Sequence, residues 1–331
     1  MLDPVLLAAL VVLAVLVGFV TGAVRRQLLR WQVLDRPNLR SSHQIPTPRG
    51  GGLALIPLAL VAWVLWAAGH GPLPPGFWLV LVGAAVLAGL SWLDDMKGLS
   101  SALRFAVQGG AVALGMVGLS DGGPVFQGLL PPWLDALAAG FAWLWFVNLF
   151  NFMDGIDGIT GVETLSIAFG LALCLWLAGG QPAALALAML LAGAMLGFLP
   201  WNWSPAKIFL GDVGSVPLGY LLGWLLLAAA AEGLWACAVI LPAYYLADAT
   251  LTLLKRGLRG EKVWQAHKEH AYQRAVQGGL SHAAVSLRVL AGNLGLIWFA
   301  FLAANDLVWV SLAGAALVTG ALLFELERHA P

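Results

Sequence analysis

The sequence predicts an all-α integral membrane protein, a polytopic bundle of about 11 transmembrane helices. Apolar residues make up 60% of the 331 residues and charged residues only 10%, against about 25% in ordinary soluble domains. Hydrophobic runs close to the roughly 20 residues that cross a bilayer recur along the whole chain. A large soluble helical protein would have no reason to carry so many uncharged runs, so we disfavour that class.

The predicted spans follow one another through mostly short connections. We do not expect the first to be a cleaved signal, because it is about 22 residues long, Asp3 is its only early charge, and Arg25 and Arg26 follow it. Cys174 and Cys237 fall inside spans without a metal-ligand spacing, so we interpret them as small buried hydrophobic residues. In chain order the spans are 2–24, 50–68, 76–93, 103–119, 133–151, 160–178, 182–199, 213–230, 234–253, 285–304 and 306–324.

The basic residues indicate how these spans are oriented. With 11 spans, all 17 Lys and Arg residues lie on one side of the bundle, and the other side has none. The positive-inside rule makes the basic side cytoplasmic, so the N-terminus is predicted to be periplasmic and the C-terminus cytoplasmic. The basic residues are Arg25, Arg26, Arg30, Arg36, Arg40, Arg49, Lys97, Arg104, Lys207, Lys255, Arg256, Arg259, Lys262, Lys268, Arg274, Arg288 and Arg328.

The polar chemistry is predicted to lie at the cytoplasmic surface of a single integral-membrane domain, residues 1–331. Ionisable residues are almost absent from the middle of the spans, and Glu163 and Asp248 fall within a turn or two of their cytoplasmic ends. A transporter usually has ionisable groups or broken helices near the midplane. The pattern therefore favours an enzyme at the headgroup level over a transporter. The cytoplasmic loops are 25–49, 94–102, 152–159, 200–212 and 254–284.

Three of these loops carry carboxylates in short motifs. Asp94 and Asp95 lie in SWLDDMKG, Asp154 and Asp157 in NLFNFMDGIDGITG, and Asp212 in IFLGDVGSVPLG. If the loops converge, the carboxylates repel one another, and some must hold a proton or share a cation. Oxygen ligands of this kind suit Mg²⁺. Any single pair could equally cap a helix end in solvent, but three such motifs on one face favour a site.

Glycines flank the acidic residues and predict their backbone geometry. In the DGIDG segment, Gly155 and Gly158 permit backbone conformations that are closed to other residues, so the turn can direct both carboxylates at a ligand. Gly211 and Gly214 surround Asp212 at a predicted helix start, where unpaired N–H groups suit phosphate. Each motif alone also fits an ordinary turn.

The last and first cytoplasmic loops supply cationic candidates. His267, His270 and Arg274 are predicted to share one helix face. Zinc is disfavoured because the H-E-x-x-H pattern is missing, and anion binding fits better. The basic run Lys255–Arg259 is open to three interpretations: substrate attraction, contact with anionic lipid, or a topological stop signal. In the first loop, Pro46, Pro48 and Gly50–Gly52 predict an ordered turn segment, and His43 and Arg49 are its candidate anion contacts.

These motifs together resemble the bacterial polyprenyl-phosphate N-acetylhexosamine-1-phosphate transferases of glycosyltransferase family 4. That group includes phospho-MurNAc-pentapeptide transferase and the enzymes that initiate O-antigen. The resemblance covers essentially the whole chain. It is carried by PTPRGGG at 46–52, the pair Asp94–Asp95, NxxNxxDGxDG from Asn148 to Gly158, GDxGS from Gly211 to Ser215, and the late His loop.

The resemblance implies a role for each matched residue. Asp212, assisted by Asp95, would bind Mg²⁺, with Mn²⁺ as an alternative, and Asp94 and Asp95 would activate the lipid phosphate. Phe209 would stack on uracil, and His267 would contact the diphosphate. The expected catalytic residues are Asp94, Asp95, Asp212 and His267, and the expected substrate-binding residues are His43, Arg49, Asn148, Asn151, Asp154, Asp157, Phe209, His270 and Arg274.

The implied reaction transfers N-acetylhexosamine-1-phosphate from a UDP-sugar to undecaprenyl phosphate, releasing UMP, at the cytoplasmic face of the bacterial inner membrane. Where phospho-MurNAc-pentapeptide transferases have consecutive histidines, this chain has HKEHAYQR at 267–274, which resembles the O-antigen and capsule type. The peptidoglycan enzyme remains the alternative. The donor sugar, a one-step or covalent aspartyl-phosphate route, and a homodimer stay open, and no nucleic-acid partner is implied.

Overall fold

The computed structural model describes residues 3–37, 45–70, 72–74, 76–119, 122–263 and 267–331. His43, a predicted anion contact, lies outside them. The described chain is almost entirely helical. Its helices are α1 (Pro4–Arg30), α2 (Gly52–Gly69), α3 (Phe77–Lys97), α4 (Ser101–Leu119), α5 (Pro132–Phe152), α6 (Ile159–Ala178), α7 (Pro182–Asn202), α8 (Asp212–Ala229), α9 (Trp235–Ile240), α10 (Ala243–Leu258), α11 (Ala271–Gln277), α12 (His282–Ala303) and α13 (Val308–Glu327), with a π-helical turn at Ala230–Leu234.

The all-α polytopic architecture is confirmed, with one predicted span broken in two rather than lost: the segment still leads from Glu232, beside Gln181, to Lys255, beside Glu327. Ten helical segments in the described part of the chain are long and apolar enough to cross a bilayer. The predicted ninth span, 234–253, is instead divided into α9 and α10. Pro242 lies at the break, and proline both lacks the N–H of a helical hydrogen bond and clashes with the preceding turn. Gly233, with φ of 96°, marks a second kink before α9.

Helices α6, α7 and α8 form the centre of the bundle. Within an 18-residue stretch of α7, 78% of the residues are buried, against 28% in α13. Close packing at the centre depends on small residues, as expected when backbones cross in a membrane. Gly197 of α7 lies against the backbone of Ala14 in α1, where a side chain would overlap the Ala14 carbonyl. The outer helices present large apolar side chains outward, among them Phe19, Trp309 and Phe324.

The described part of the first loop contains a strand pairing that the sequence analysis did not predict. Strands β1 (Leu34–Asp35) and β2 (Thr47–Pro48) pair antiparallel. Immediately after β2, the N–H groups of Gly50 and Gly51 donate to the carbonyl of Phe209 at 3.1 and 2.8 Å. A side chain on Gly52 would overlap the backbone of Gly214. The PRGGG segment is therefore fixed directly against the start of α8.

Candidate active site

The Asp94–Asp95 pair occupies the last turn of α3 and faces the first turn of α8. The Asp95 carboxylate accepts the backbone N–H groups of Asp212 at 3.3 Å and Val213 at 3.1 Å. These N–H groups have no partner within the helix, and the helix dipole favours a negative charge there. Gly211 has φ of 75°, and a Cβ on it would lie 2.9 Å from Asp95 Oδ2. Only glycine fits this approach, which explains the GD motif.

Arg49 joins two of the carboxylates. Its Nη2 lies 2.8 Å from Asp95 Oδ1 and 2.6 Å from Asp212 Oδ1. Burial alone would lower the pKa of Arg49, but the charges of Asp212 and Asp95 raise it above its ordinary value. Arg49 is therefore a permanent cation between two carboxylates, and its backbone is held by the strand pairing and by Phe209.

Arg104, in the first turn of α4, belongs to the same cluster and was missed by the sequence analysis. Its Nη1 lies 2.9 Å from Asp94 Oδ2 and 3.8 Å from Asp212 Oδ2. The other Asp94 oxygen accepts the Leu99 N–H at 2.6 Å. A cation opening the helix after an acidic pair was the signal that could have revealed it. The three carboxylates and two guanidinium groups together carry one net negative charge.

Asp157 connects the DGIDG turn to neighbouring segments of the chain. Its Oδ2 accepts the Ala206 N–H at 3.1 Å and lies 3.3 Å from His282 Nδ1. Burial alone would raise the pKa of Asp157, but the His282 ring and the Ala206 N–H lower it below its ordinary value. The backbone carbonyl of Asp157 accepts from Ser286 Oγ at 2.9 Å. These contacts tie the turn to the 203–211 segment and to α12.

Asp154, in the same turn, is electrostatically coupled to the cluster. The pKa of Asp154 is raised from 3.8 to about 6: burial and the negative charge of Asp212 raise it, and a hydrogen bond with Thr160 opposes the shift. Asn151, at the end of α5, accepts a hydrogen bond from Ser215 Oγ at 2.8 Å. The end of α5, the DGIDG turn and the start of α8 are therefore brought together, as the acidic motifs predicted.

Three further predicted residues have these surroundings. Phe209 is half-buried beside the glycine segment, with its backbone paired to Pro48 and Arg49. Asn148 donates to the Leu144 carbonyl at 2.8 Å. Arg274 lies in α11 and is half-buried.

The two late-loop histidines are adjacent, but not because they share a helix. They precede α11, which begins at Ala271, and their ring centroids are 4.7 Å apart. The predicted shared helix face is therefore wrong, because the chain is extended at His270 (ψ 148°). His270 is buried against Tyr272. Burial, with the neighbouring charges of His270 and Arg256, lowers the pKa of His267 to about 4, so its imidazole is neutral at pH 7.

The basic run after α10 is paired with acidic residues of the chain itself. Arg256 lies 2.8 Å from Glu261 and 3.3 Å from Glu269, and Arg259 contacts the same two carboxylates. Lys255 lies 3.3 Å from Glu327. Of the three interpretations of this run, none included these internal pairs. They fold the His267 loop back onto the end of α10.

A cavity of about 840 Å³ opens from the acidic cluster into the helices α3, α4, α5 and α10. Polar residues lie at its acidic end, whereas most of its wall is apolar. The polar residues are Ser91, Asp94, Ser101, Arg104, Gln108, Asn148, Asn151, Asp212 and Thr250, and the apolar ones include Leu87, Leu90, Phe105, Phe141, Leu144, Trp145, Val216, Leu253, Leu254 and Leu258. The site therefore combines an ionic end with a long apolar pocket.

Comparison with known proteins agrees with this arrangement. A putative glycosyltransferase of Streptomyces coelicolor is 33% identical over 328 residues, which cover 93% of this chain and 74% of that protein. The sequence model of glycosyl transferase family 4 matches residues 77–230. The chain belongs to glycosyl transferase family 4.

Two further relatives in this family have more specific names. A probable undecaprenyl-phosphate N-acetylglucosaminyl 1-phosphate transferase of Bacillus subtilis is 30% identical over 175 residues, 51% of this chain and 49% of that protein. A phospho-N-acetylmuramoyl-pentapeptide-transferase of Limosilactobacillus fermentum is 46% identical over 88 residues, 26% of this chain and 27% of that protein. The chain thus matches about half of the first relative's length and about a quarter of the second's.

Proposed function

We propose that this family member transfers an N-acetylhexosamine-1-phosphate from a UDP-sugar to undecaprenyl phosphate and releases UMP. The observation that carries the proposal is the cluster of three aspartates and two arginines, of which Asp94, Arg104 and Asp212 line a largely apolar cavity of about 840 Å³. A polyprenyl phosphate has the matching chemistry, with an ionic head and a long hydrocarbon chain. The name of the Bacillus relative, which includes undecaprenyl phosphate, supports the same class of acceptor.

Arg104 and Asp94 are the groups that would meet the acceptor phosphate. Both line the cavity at its polar end, and a guanidinium can donate two parallel N–H bonds to a phosphate. Because Asp94 is held by Leu99 N–H on one oxygen and by Arg104 on the other, an arriving phosphate would compete with it for Arg104. Asp94 would then be able to accept a proton from the phosphate.

The proposed transfer does not require a strong general base to deprotonate the acceptor phosphate. A phosphate monoester has a second pKa of about 6, so at neutral pH the acceptor is mostly a dianion. One of its oxygens attacks the β-phosphorus, a new P–O–P bond forms, and the bond from the β-phosphorus to the oxygen of the leaving UMP breaks. Asp94 or Asp95 would remove the remaining proton from the monoanionic fraction. A covalent route, with an aspartyl-phosphate on one of these residues, stays open.

The acidic cluster fits a divalent cation in its donor chemistry. Asp95 and Asp212 already hold a cationic group, Arg49, between them, and Mg²⁺ typically takes one or two carboxylates with substrate phosphates and water. Asp212 and Asp95 are the proposed ligands of Mg²⁺ or Mn²⁺. Substrate phosphates and water would supply the other ligands, because the described residues include no group of three His, Cys, Asp or Glu side chains that could hold a metal ion. When bound, the cation would neutralise charge on the diphosphate.

The donor would lie on the side of the DGIDG turn. Asn151, Asp154 and Phe209 flank the cluster there, and the neutral His267 can donate a hydrogen bond to a diphosphate oxygen. An N-acetylated hexosamine for O-antigen or capsule assembly is our preferred donor, because the HKEHAYQR segment lacks consecutive histidines. The 46% identity with the Limosilactobacillus enzyme favours phospho-MurNAc-pentapeptide transfer as a second candidate.

One assay tests the reaction and separates the two donors. Purified protein, undecaprenyl phosphate and Mg²⁺ are incubated with UDP-GlcNAc, its deoxy relatives UDP-QuiNAc and UDP-FucNAc, or UDP-MurNAc-pentapeptide, and UMP release is measured. We expect release with one of the simple sugars that depends on both lipid and metal. Release only with the pentapeptide would transfer the assignment to peptidoglycan synthesis, and no release with any donor would contradict the proposal.

We further propose that the site faces the cytoplasm across a bacterial inner membrane, because every Lys and Arg lies on the predicted inner side. In a variant lacking Cys174 and Cys237, a cysteine at Gln127 should react with an impermeant thiol reagent in intact cells. A cysteine at Lys262 should react only after lysis. Labelling of position 262 in intact cells would exclude the use of cytoplasmic UDP-sugars.

A further inference from the structure

Asp248, a buried residue of α10, fixes the start of α11. Its Oδ1 accepts the Ala271 N–H at 2.9 Å, and its Oδ2 accepts the Tyr244 hydroxyl at 3.1 Å. A carboxylate at a helix N-terminus satisfies N–H groups that have no partner within the helix. Because Asp248 fixes Ala271, it also fixes the position of Tyr272, the second residue of α11. Its side chain is fully buried.

Tyr272 reaches from α11 to the DGIDG turn. Its hydroxyl donates to the Phe152 carbonyl at 3.2 Å, one of the terminal carbonyls of α5 that the helix leaves unpaired. The same hydroxyl fills the space beside Gly155. A Cβ on Gly155 would overlap the Tyr272 Oη and lie 3.1 Å from Cζ. Gly155 is not one of the positive-φ glycines, so packing against Tyr272, rather than backbone conformation, requires glycine here.

The location of this contact gives it a function. Phe152 and Gly155 bracket Asp154, whose carboxylate is electrostatically coupled to Asp212. Resting on the proposed function, we propose that Tyr272 is a positioning residue that sets the DGIDG turn and thereby holds Asp154 in register with the donor UDP-sugar. The His-containing loop would then act on the donor twice, through His267 itself and through the turn that Tyr272 supports.

The test uses Tyr272→Phe, Gly155→Ala and the double variant, assayed for kcat, for KM of the UDP-sugar and of the lipid acceptor, and for Tm. Tyr272→Phe removes one hydrogen bond, so we expect KM for the UDP-sugar to rise about 3- to 10-fold with the acceptor KM unchanged. Gly155→Ala forces the turn away from Tyr272 and should raise that KM further. The double variant should recover toward Tyr272→Phe, because the overlapping oxygen is gone.

Tyr220 and Gly83 form a matched control in the middle of the bundle. The Tyr220 hydroxyl donates to the Ala111 carbonyl at 2.9 Å and fills the space beside Gly83, as Tyr272 does beside Gly155. Tyr220→Phe and Gly83→Ala should lower Tm without changing either KM, because this pair touches no residue of the acidic cluster among the contacts described.

The outcomes separate this proposal from the proposed function. A wild-type protein that releases no UMP with any donor would overturn both. An active wild type would overturn this proposal alone if Tyr272→Phe behaves like Tyr220→Phe, with a lower Tm and unchanged KM values. It would also be overturned if the double variant were no better than Gly155→Ala in KM and Tm. A rise in donor KM together with recovery in the double variant supports it.

Discussion

Two aspartates at opposite ends of the bundle differ in what their carboxylates hold, a backbone segment in one case and cationic side chains in the other. Asp135 opens α5, and its oxygens accept the N–H groups of Val125 at 3.0 Å and Phe126 at 2.9 Å. Asp212 lies near the other end of α5, and its oxygens face the guanidinium groups of Arg49 and Arg104. The side chain of Asp212 is also 17% exposed. A backbone N–H cannot leave its carboxylate without unfolding a turn, whereas an arginine can exchange one anion for another.

The strongest test of this comparison is Asp212→Asn, which keeps the shape of the side chain and removes its charge. Turnover should fall by about 10³-fold, the scale on which single electrostatic contributors to a transition state act. We expect Tm in detergent to stay near that of the wild type, since Asp212 holds no backbone group. Retention of more than about a tenth of the activity at saturating Mg²⁺ would remove Asp212 from the proposed chemistry.

The next largest effect is expected from Arg104, since it faces both Asp94 and the apolar cavity. Arg104→Ala should lower kcat/KM for the lipid acceptor by about 10²-fold, because a charge-assisted contact to phosphate is lost. Arg104→Lys should recover only part of this loss, because lysine keeps the charge but not the fork of donors. The KM for the UDP-sugar should change little in both variants, and the reverse pattern would assign Arg104 to the donor.

Asp154→Asn should have a smaller effect, a change in stability that depends on pH. Its pKa is raised from 3.8 to about 6, so its contribution to stability is complete below pH 3.8 and is lost as pH rises through about 6. Asp154→Asn imitates the protonated form. The variant should match the wild type near pH 3.5 and exceed it in Tm by roughly 2–6 °C at pH 7.5. Equal Tm differences at both pH values would contradict the raised pKa.

Asp135→Asn should have the smallest effect on turnover. Loss of the carboxylate leaves the Val125 and Phe126 N–H groups poorly paired, so Tm should fall by a few degrees. We expect kcat and both KM values to stay within about twofold of the wild type. A loss of activity comparable to that of Asp212→Asn would show that the distinction between backbone-bound and cation-bound carboxylates does not hold in this protein.

The sequence predicted the acidic cluster well because its motifs are local. Asp94–Asp95, the DGIDG turn and the GDVGS helix start each depend on a few neighbouring residues, and the membrane spans limit where such segments can meet. Arg104 was missed because its importance comes from a contact across two helices. The opposite error occurred with His267 and His270, for which a spacing of three suggested a helix that the chain does not form.

The division of the ninth span also lay beyond hydrophobicity alone. Residues 234–253 are apolar enough to suggest one continuous helix, yet Pro242 interrupts it and Gly233 kinks the chain just before it. The reason for Gly155 was likewise visible only in three dimensions. From the sequence it suggested an unusual backbone conformation, whereas the structure gives it the task of leaving room for Tyr272.

Arg49 gives the resting protein an internal counterion. Two carboxylates that face each other would ordinarily force one another to take up a proton or a solute cation, but here a guanidinium fixed to a strand-paired segment already lies between them. Arg49 therefore offsets part of this negative charge without an ion from the solvent. A divalent ion that binds between Asp95 and Asp212 would have to displace Arg49. A nucleotide diphosphate that forms an ion pair with the displaced Arg49 side chain would make that exchange easier. In the proposed mechanism, the bound cation and the substrate would take over from Arg49 the neutralisation of Asp95 and Asp212.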